Sequence, residues 1–271
     1  MRGSSLASLE AVRNRFEPVL VAAGKEAATL GGELFAVVDA LDSTGSLRRA
    51  LTDPARDAAD KARLVTDLLG GKVDERTVAV VADAAGSRWS AAGDLADALE
   101  KLGVEAVLAD AENDGALPQV ADELFAASRV LIGQPQVREA LAEHRSTPQA
   151  REQLVAAVFG QSLHPDTLLL VQRAAGHQRG GNLVPVIQRY SDAAAERRNR
   201  TVAHVVTSHE LSAEQVERLS ATLARAYGRE IQVDVALEPG IVGGLRIQVG
   251  PDVVDATVLS RLADVRRKIA S

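Results

Sequence analysis

The sequence predicts a mainly α-helical protein with a small α/β domain: two tandem helical bundles followed by a β-α-β-β-α two-layer unit. Three observations predict it. Hydrophobic residues make up 46% of the 271 positions but aromatic ones only 3%, so the cores must be filled by small aliphatic side chains, which suits closely packed helices better than aromatic-rich β-sandwiches. A stretch of the first copy recurs at an offset of about 90 residues, too long for a solenoid repeat of ~20–50 residues and long enough to be a domain. From Thr201 the hydrophobic period changes from helical to alternating.

The repeat is carried by Glu33-Leu34-Phe35-Ala36, which returns as Glu123-Leu124-Phe125-Ala126. In the same register Leu51 matches Leu141, Leu64-Val65 matches Leu154-Val155, and Gly70 matches Gly160. The match runs without a gap to Ala84-Ala85-Gly86 and Ala174-Ala175-Gly176, with about 16 identities over about 54 positions. Beyond it the offset slips by about two residues, pairing Leu95 with Leu183. The domains expected from this are a first bundle at 1–103, a second at 104–198 and an α/β domain at 199–271.

Within the first copy, Leu34, Val37, Val38 and Leu41 share one helical face. Asp53-Pro54 reads as an N-cap followed by a first helical proline, and Thr147-Pro148 repeats that reading in the second copy. Leu64, Leu68 and Leu69 form the next stripe, ended by Gly70-Gly71; Val78, Val81 and Ala85 form another, ended by Gly86. Each copy is thus expected to hold five or six short helices.

In the last third, Val202, Val205 and Val206 lie in a β-branched run. Ser212 with Gln215 three positions on is a capping-box arrangement, opening a helix that buries Val216, Leu219, Leu223 and Ala226 and ends at Gly228. Ile231, Val233, Val235 and Leu237 alternate, as do Leu245, Ile247 and Val249, so both runs read as strands. The helix between the first two strands permits a parallel pair, whereas Pro239-Gly240 suggests an antiparallel hairpin between the last two. Asp252 and Asp255 read as a solvated turn and a cap for a final helix bearing Val258, Leu262, Val265 and Ile269.

Composition and motifs argue against chemistry. With no Cys, thiolate metal sites, cysteine nucleophiles and disulfides are excluded. The five histidines lack the i, i+4 spacing of a helical zinc site, and neither a Gly-x-Ser-x-Gly elbow nor a Walker A pattern occurs, so no cofactor or metal is expected. A net charge of −6, with 31 basic against 37 acidic residues, disfavours a nucleic-acid partner. Gly240-Ile241-Val242-Gly243 matches a Gly-x-x-Gly loop only formally, because its middle residues are apolar and it lies between strands rather than helices. The runs Arg197-Arg198-Asn199-Arg200 and Arg266-Arg267-Lys268 read as solvated helix ends. No apolar run reaches the ~18 residues of a membrane span, and residues 1–8 do not read as a secretory signal, so a cytosolic or peripheral protein without membrane insertion is expected.

The segment Pro239-Gly240-Ile241-Val242-Gly243-Gly244-Leu245-Arg246-Ile247-Gln248-Val249-Gly250, with Val254-Asp255-Ala256-Thr257-Val258 and Leu259-Ser260-Arg261-Leu262, resembles the C-terminal signature of the δ subunit family of F-type ATP synthases, which includes the oligomycin-sensitivity-conferring protein. Gly240, Gly243, Gly244, Gly250 and Asp255 carry that signature. Ala256-Thr257 replaces the family's usual Gly-Ser, and Pro251 intervenes before Asp252. The resemblance extends upstream to about residue 170, and the second bundle is similar to the family's N-terminal helical domain, leaving the first as an extra copy.

The resemblance implies a non-catalytic stator subunit on the cytoplasmic face of the bacterial membrane. Its helical domain would bind the N-terminal segments of the α subunits, and its C-terminal domain the end of the b subunit, so that the catalytic head does not turn with the rotor. Residues placed to meet an α-subunit helix are Phe16, Val19 and Leu20, Val104, Val107 and Leu108, Val78 and Val81, and Leu168 and Val171. Leu245, Ile247, Val258 and Leu262 are candidates for the b contact. Two rival readings are a helical adaptor that binds peptide or RNA partners through its duplicated bundles, and an enzyme whose site is assembled from scattered polar residues.

Overall fold

A computed structural model of the chain describes residues 1, 3–142, 146–160, 162–177, 182–200, 202–227, 231–238, 244–249 and 252–255. The chain divides into two compact units, Met1–Ala193 and Ala194–Ser271. The first is built from α1 (Gly3–Ala23), α2 (Ala27–Ser43), α3 (Gly45–Thr52), α4 (Ala58–Leu69), α5 (Glu75–Gly86), α6 (Asp94–Asn113), α7 (Leu117–Gly133), α8 (Pro135–Ala142), α9 (Pro148–Phe159), α10 (Pro165–Gly176) and α11 (Leu183–Arg200), whose last residues belong to the second unit.

The sequence repeat is reproduced in the helices. From α2 to α5 and from α7 to α10, both ends of every helix are offset by 90. α6 stands about 90 residues after α1 and just under 90 before α11. It therefore serves as the last helix of one six-helix set and the first of the next. The position expected to divide the copies, 103/104, falls inside it, and α6 crosses that position unbroken.

Burial shows the double duty. In α1 five of 21 residues are buried, Ser5, Val12, Phe16, Leu20 and Ala23, the single stripe of a helix at the edge of one bundle. In α6 fourteen of 20 are buried, including Asp94 and Glu105, so it is enclosed almost all round. Its two buried acids have partners: Asp94 accepts from the Ser5 hydroxyl at 2.7 Å, and Glu105 pairs with Arg13. α2 lies antiparallel along α6, with the Ala28 amide donating to Asp110 at 3.2 Å near one end. At the crossing Gly31 faces Gly103, and a Cβ on Gly31 would come within 2.8 Å of the Gly103 carbonyl oxygen. The small residues let the backbones approach, and the Phe35 ring fills the space over Gly103.

Each copy also repeats one polar tie. Glu33 of α2 accepts from the Asp74 amide at 3.1 Å and from the Thr77 hydroxyl at 2.5 Å, securing the start of α5. Ninety residues on, Glu123 of α7 accepts from the His164 amide at 2.8 Å, at the start of α10. Such ties satisfy donors that a helix N-terminus otherwise leaves open. Burial opposes the charge on Glu123, but Thr167, Gln119 and the His164 amide outweigh it and hold its pKa below the ordinary value.

The α9 start conforms to expectation: Thr147 is the N-cap, its hydroxyl accepts from the Ala150 amide at 3.2 Å, and Pro148 is the first helical residue. Asp53-Pro54 does not cap α4. Asp53 ends α3 in an extended conformation and starts a turn, its carboxylate accepting from the Ala55 amide at 2.9 Å, with proline at the favoured second turn position; α4 begins at Ala58 after Asp57. In α4 the buried residues are Lys61 and Val65, while Leu68 is exposed.

In the second unit, strands β1 (Val202–Thr207), β2 (Gln232–Leu237), β3 (Leu245–Val249) and β4 (Asp252–Asp255) accompany α12 (Ala213–Tyr227). The sheet order is β2-β1-β3-β4. β1 and β2 pair in parallel through the α12 crossover, as expected. The hairpin expected between β2 and β3 does not form: β1 lies between them and is antiparallel to β3. β1 carries the fully buried Ala203 and Val205, and the inner position gives its ladder partners on both sides. Asp252 and Asp255 are not a turn and a cap but the two ends of β4, antiparallel to β3.

The capping box of α12 is present, the Ser212 amide donating to Gln215 Oε1 at 2.8 Å and the Gln215 amide to Ser212 Oγ at 3.3 Å. Leu223 is buried and Leu219 half-buried against Ala203, Val205, Ile231 and Val249, while Ala226 is exposed. Arg197 is buried rather than solvated, because it shares the face of α11 that carries Tyr190 and Ala194. Gly228, Pro239, Gly240, Gly243, Gly250 and the expected final helix with Val258 and Leu262 lie outside the described residues.

Candidate functional site

The histidines have local structural partners. His164 is the N-cap of α10, its Nδ1 accepting from the Asp166 amide at 3.3 Å. His204 stands 3.3 Å from Asp234, and His209 bonds Ser208 at 2.8 Å. His144 lies outside the described residues. Among the described residues no group of three or more His, Asp or Glu side chains is arranged to hold a metal ion. No described helix is long and apolar enough to cross a membrane.

The residues expected to meet an α-subunit helix divide by burial. Phe16, Leu20, Val81, Val104, Val107, Leu108 and Val171 are at most 3% exposed, their surfaces consumed within the first unit. Val19, Val78 and Leu168 are half-buried. On β3, Leu245 and Ile247 are half-buried and pack on the core of the second unit, while Arg246 and Gln248 point outward. Of the signature residues described, Gly244 has φ +93°, which a side chain would strain, and Asp255 is in register with Arg246 across β3 and β4.

A cluster that sequence reasoning did not single out joins the two copies. Arg173 of α10 places Nη1 2.8 Å from Asp39 of α2, and Nη2 2.7 Å from Glu100 of α6. Its guanidinium lies over the Phe35 ring, 4.8 Å from the centroid. Tyr190 of α11 donates to Glu100 at 2.8 Å. His177, just past α10, has Nδ1 2.9 Å from Asp39 and Nε2 3.4 Å from Glu152 of α9.

The charges hold one another in place. Burial works against ionisation of Arg173, but Glu100 and Asp39 outweigh it and raise its pKa. Burial likewise works against Asp39, yet His177 and Arg173 bring its pKa below the usual carboxylate range. Burial, followed by Glu100, pushes the Tyr190 phenol well above its ordinary value, so it remains a donor. The cluster fixes α2 and α6 against α10 and α11; it contains no activated nucleophile. A signal was present in the repeat: Arg173 stands where the first copy has Asp83, a charge reversal inside an otherwise matching segment.

A helical tandem whose polar groups serve docking and capping, followed by a small α/β unit, defines a scaffold class of protein. Residues 104–269 match the family model described as ATP synthase delta (OSCP) subunit. The chain is 49% identical over 270 residues to the ATP synthase subunit delta of Beutenbergia cavernae, with all of both chains covered. It is 41% identical to that of Kineococcus radiotolerans, covering 99% of this chain and 97% of the relative, and 40% identical to that of Thermobifida fusca, covering all of both. The chain belongs to the ATP synthase delta (OSCP) subunit family. The family model begins within α6, so it takes in the second copy and the α/β unit, whereas these relatives match over the first copy as well.

Proposed function

We propose that the chain is a non-catalytic peripheral-stalk subunit of an F-type ATP synthase, acting on the cytoplasmic face of the bacterial membrane and tying the catalytic head to the b subunit. The observation that carries this reading is the full-length similarity to proteins named ATP synthase subunit delta. Its polar clusters serve docking and capping, which suits a tie between other chains. We draw the domains as two duplicated bundles, 1–103 and 104–198, merged through α6, and an α/β domain at 199–271. The N-terminal segments of the α subunits are assigned to the helical unit, where Val19, Val78 and Leu168 retain surface to offer. The C-terminal end of b is assigned to the α/β domain, with Leu245, Ile247, Val258 and Leu262 as its candidate contacts. Large, slowly dissociating interfaces suit a part that resists torque.

The test is coupling in membrane vesicles rebuilt with and without the chain. The intact chain is expected to restore proton-driven ATP synthesis, and a chain lacking residues 201–271 to bind the head but leave synthesis uncoupled, with hydrolysis by the isolated head unchanged. Full coupling without the chain would refute the proposal. The adaptor reading predicts recovery of RNA or soluble partners alone in a pull-down, and it draws no support from the family assignment.

A further inference from the structure

Phe35 and Phe125 hold the same place in the two copies but differ in burial. Phe35 of α2 is 5% exposed, its ring filling the space over Gly103 of α6 beneath the Arg173 guanidinium. Phe125 of α7 is 57% exposed. In the shifted register that pairs Leu95 with Leu183, the counterpart of Gly103 is Ser191. A Cβ on Gly103 would come within 2.6 Å of the Phe35 ring, so a serine in that place closes the space that receives the first phenylalanine. The outer surface of α7 has changed as well. Ala40 and Asp42 of α2 give way to Val130 and Ile132, which are 43% and 53% exposed. Large apolar side chains gathered on the outside of one helix mark an interface.

The charges on α7 say what covers it. Pro118, Asp122, Phe125, Ala126, Arg129 and Gly133 share one exposed face of the helix. Asp122 and Arg129 stand seven residues apart, about 10 Å along the axis, too far to pair with each other. Neither has an opposite charge three or four positions away, and neither has a partner among the described residues. We infer that this face of α7 docks on the same face of a second molecule of the chain, the two helices antiparallel about a two-fold axis that passes between Phe125 and Ala126. In that register Asp122 of each molecule meets Arg129 of the other, so both charges are paired twice over by symmetry. Each Phe125 ring lies on the other molecule's Ala126 methyl, and Pro118 faces Gly133, a bulky residue against a small one at both places. A face that carried two acids or two bases at these positions would repel its own copy. One helix face per molecule is smaller than the roughly 1,200 Å² at which stable interfaces begin, so the pair is a weak, reversible one. The pairing is independent of the stator reading, because it concerns the purified chain alone.

The experiment is sedimentation equilibrium of the full chain at about 10–500 μM, the range in which an interface of this size associates. The unmodified chain is expected to dimerise, and more weakly as salt is raised. Asp122→Arg, Arg129→Asp and Phe125→Glu are each expected to weaken the dimer at least roughly tenfold while melting within a few degrees of the unmodified chain. An equimolar mixture of Asp122→Arg with Arg129→Asp is expected to dimerise again, because the altered charges are complementary between the two variants. That recovery also shows that both variants are folded, and it does not depend on Phe125→Glu. A chain that stays monomeric at the highest concentration would overturn the inference and leave the face to a different partner. Association unchanged in all three variants, or a mixture of the charge variants that remains as monomeric as either alone, would overturn it too. None of these outcomes bears on whether the chain couples ATP synthesis, which the vesicle assay decides separately.

Discussion

Asp166 shows how a single side chain can work against the fold it belongs to. It is buried at the first turn of α10 with Oδ2 unpartnered apart from His164 Nδ1 at 3.5 Å. Burial, reinforced by Asp110, raises its pKa to about 6. A carboxyl that binds its proton more tightly in the folded state destabilises when ionised. That penalty is full above pH 6, shrinks as pH falls through 6, and is gone near the ordinary value of 3.8. After solvent screening it amounts to roughly 1–2 kcal/mol at neutral pH. Asp166→Asn is therefore expected to raise the melting temperature at pH 7.5 and to match the unmodified chain at pH 4; a gain that persists at pH 4 would point to another cause. Glu33 and Glu123 test the repeated tie at the same scale. Glu33→Ala and Glu123→Ala each strand helix-start donors and are expected to cost about 1–3 kcal/mol in denaturant unfolding. Retention of full stability by either would show that water satisfies those donors.

Among the elements, the meeting of α2 and α6 depends most on residue size. Exchanging Gly31 for alanine inside a helix would ordinarily gain close to 1 kcal/mol from propensity. Here the added methyl meets the Gly103 carbonyl and Val107 Cγ2, both at 2.8 Å, and a carbonyl held in a helix cannot swing aside. Overpacking of this kind costs about 1–3 kcal/mol, so the clash wins and Gly31→Ala is expected to lower the melting temperature by several degrees. An unchanged or higher value would mean that the helices can separate at little cost. The sequence made individual helices and strands legible where period and cap agreed, as at Thr147-Pro148 and Ser212-Gln215. It misled where one local signal had two uses. Asp53-Pro54 is as good a turn as an N-cap, and Pro239-Gly240 implied neighbouring strands although β1 takes the central place. Pairing order is a nonlocal property, decided by which strand buries most apolar surface, and alternation within a strand carries no record of it.

For the molecule as a whole, the repeat disclosed the duplication but not the economy with which the copies join. The stripe Val104, Val107 and Leu108 looked free to face a partner because a stripe on one helix cannot reveal that two bundles claim it. The cluster of Asp39, Glu100, Arg173, His177 and Tyr190 escaped notice for a similar reason: its members are far apart in sequence, and only the Asp83 to Arg173 reversal hinted at it. Because α6 belongs to both copies, disrupting it should unfold both. Val104→Pro removes a hydrogen bond and forces a kink worth ~3 kcal/mol or more. Its expected result is simultaneous loss of native fluorescence from Trp89, the chain's single tryptophan, and of hydrogen-exchange protection in α9 and α10. Survival of protection in α9 and α10 would show that the second copy folds independently.

An unbroken α6 also sets the phase between the copies. Inserting or deleting one residue near its middle would turn one bundle against the other by roughly 100° and slide it by about 1.5 Å. Asp39 would then swing away from Arg173, and Gly31 would lose its place opposite Gly103. The length of α6 therefore acts as a key with one fitting cut, and a one-residue change there would disturb more of the molecule than a far longer insertion in a surface loop.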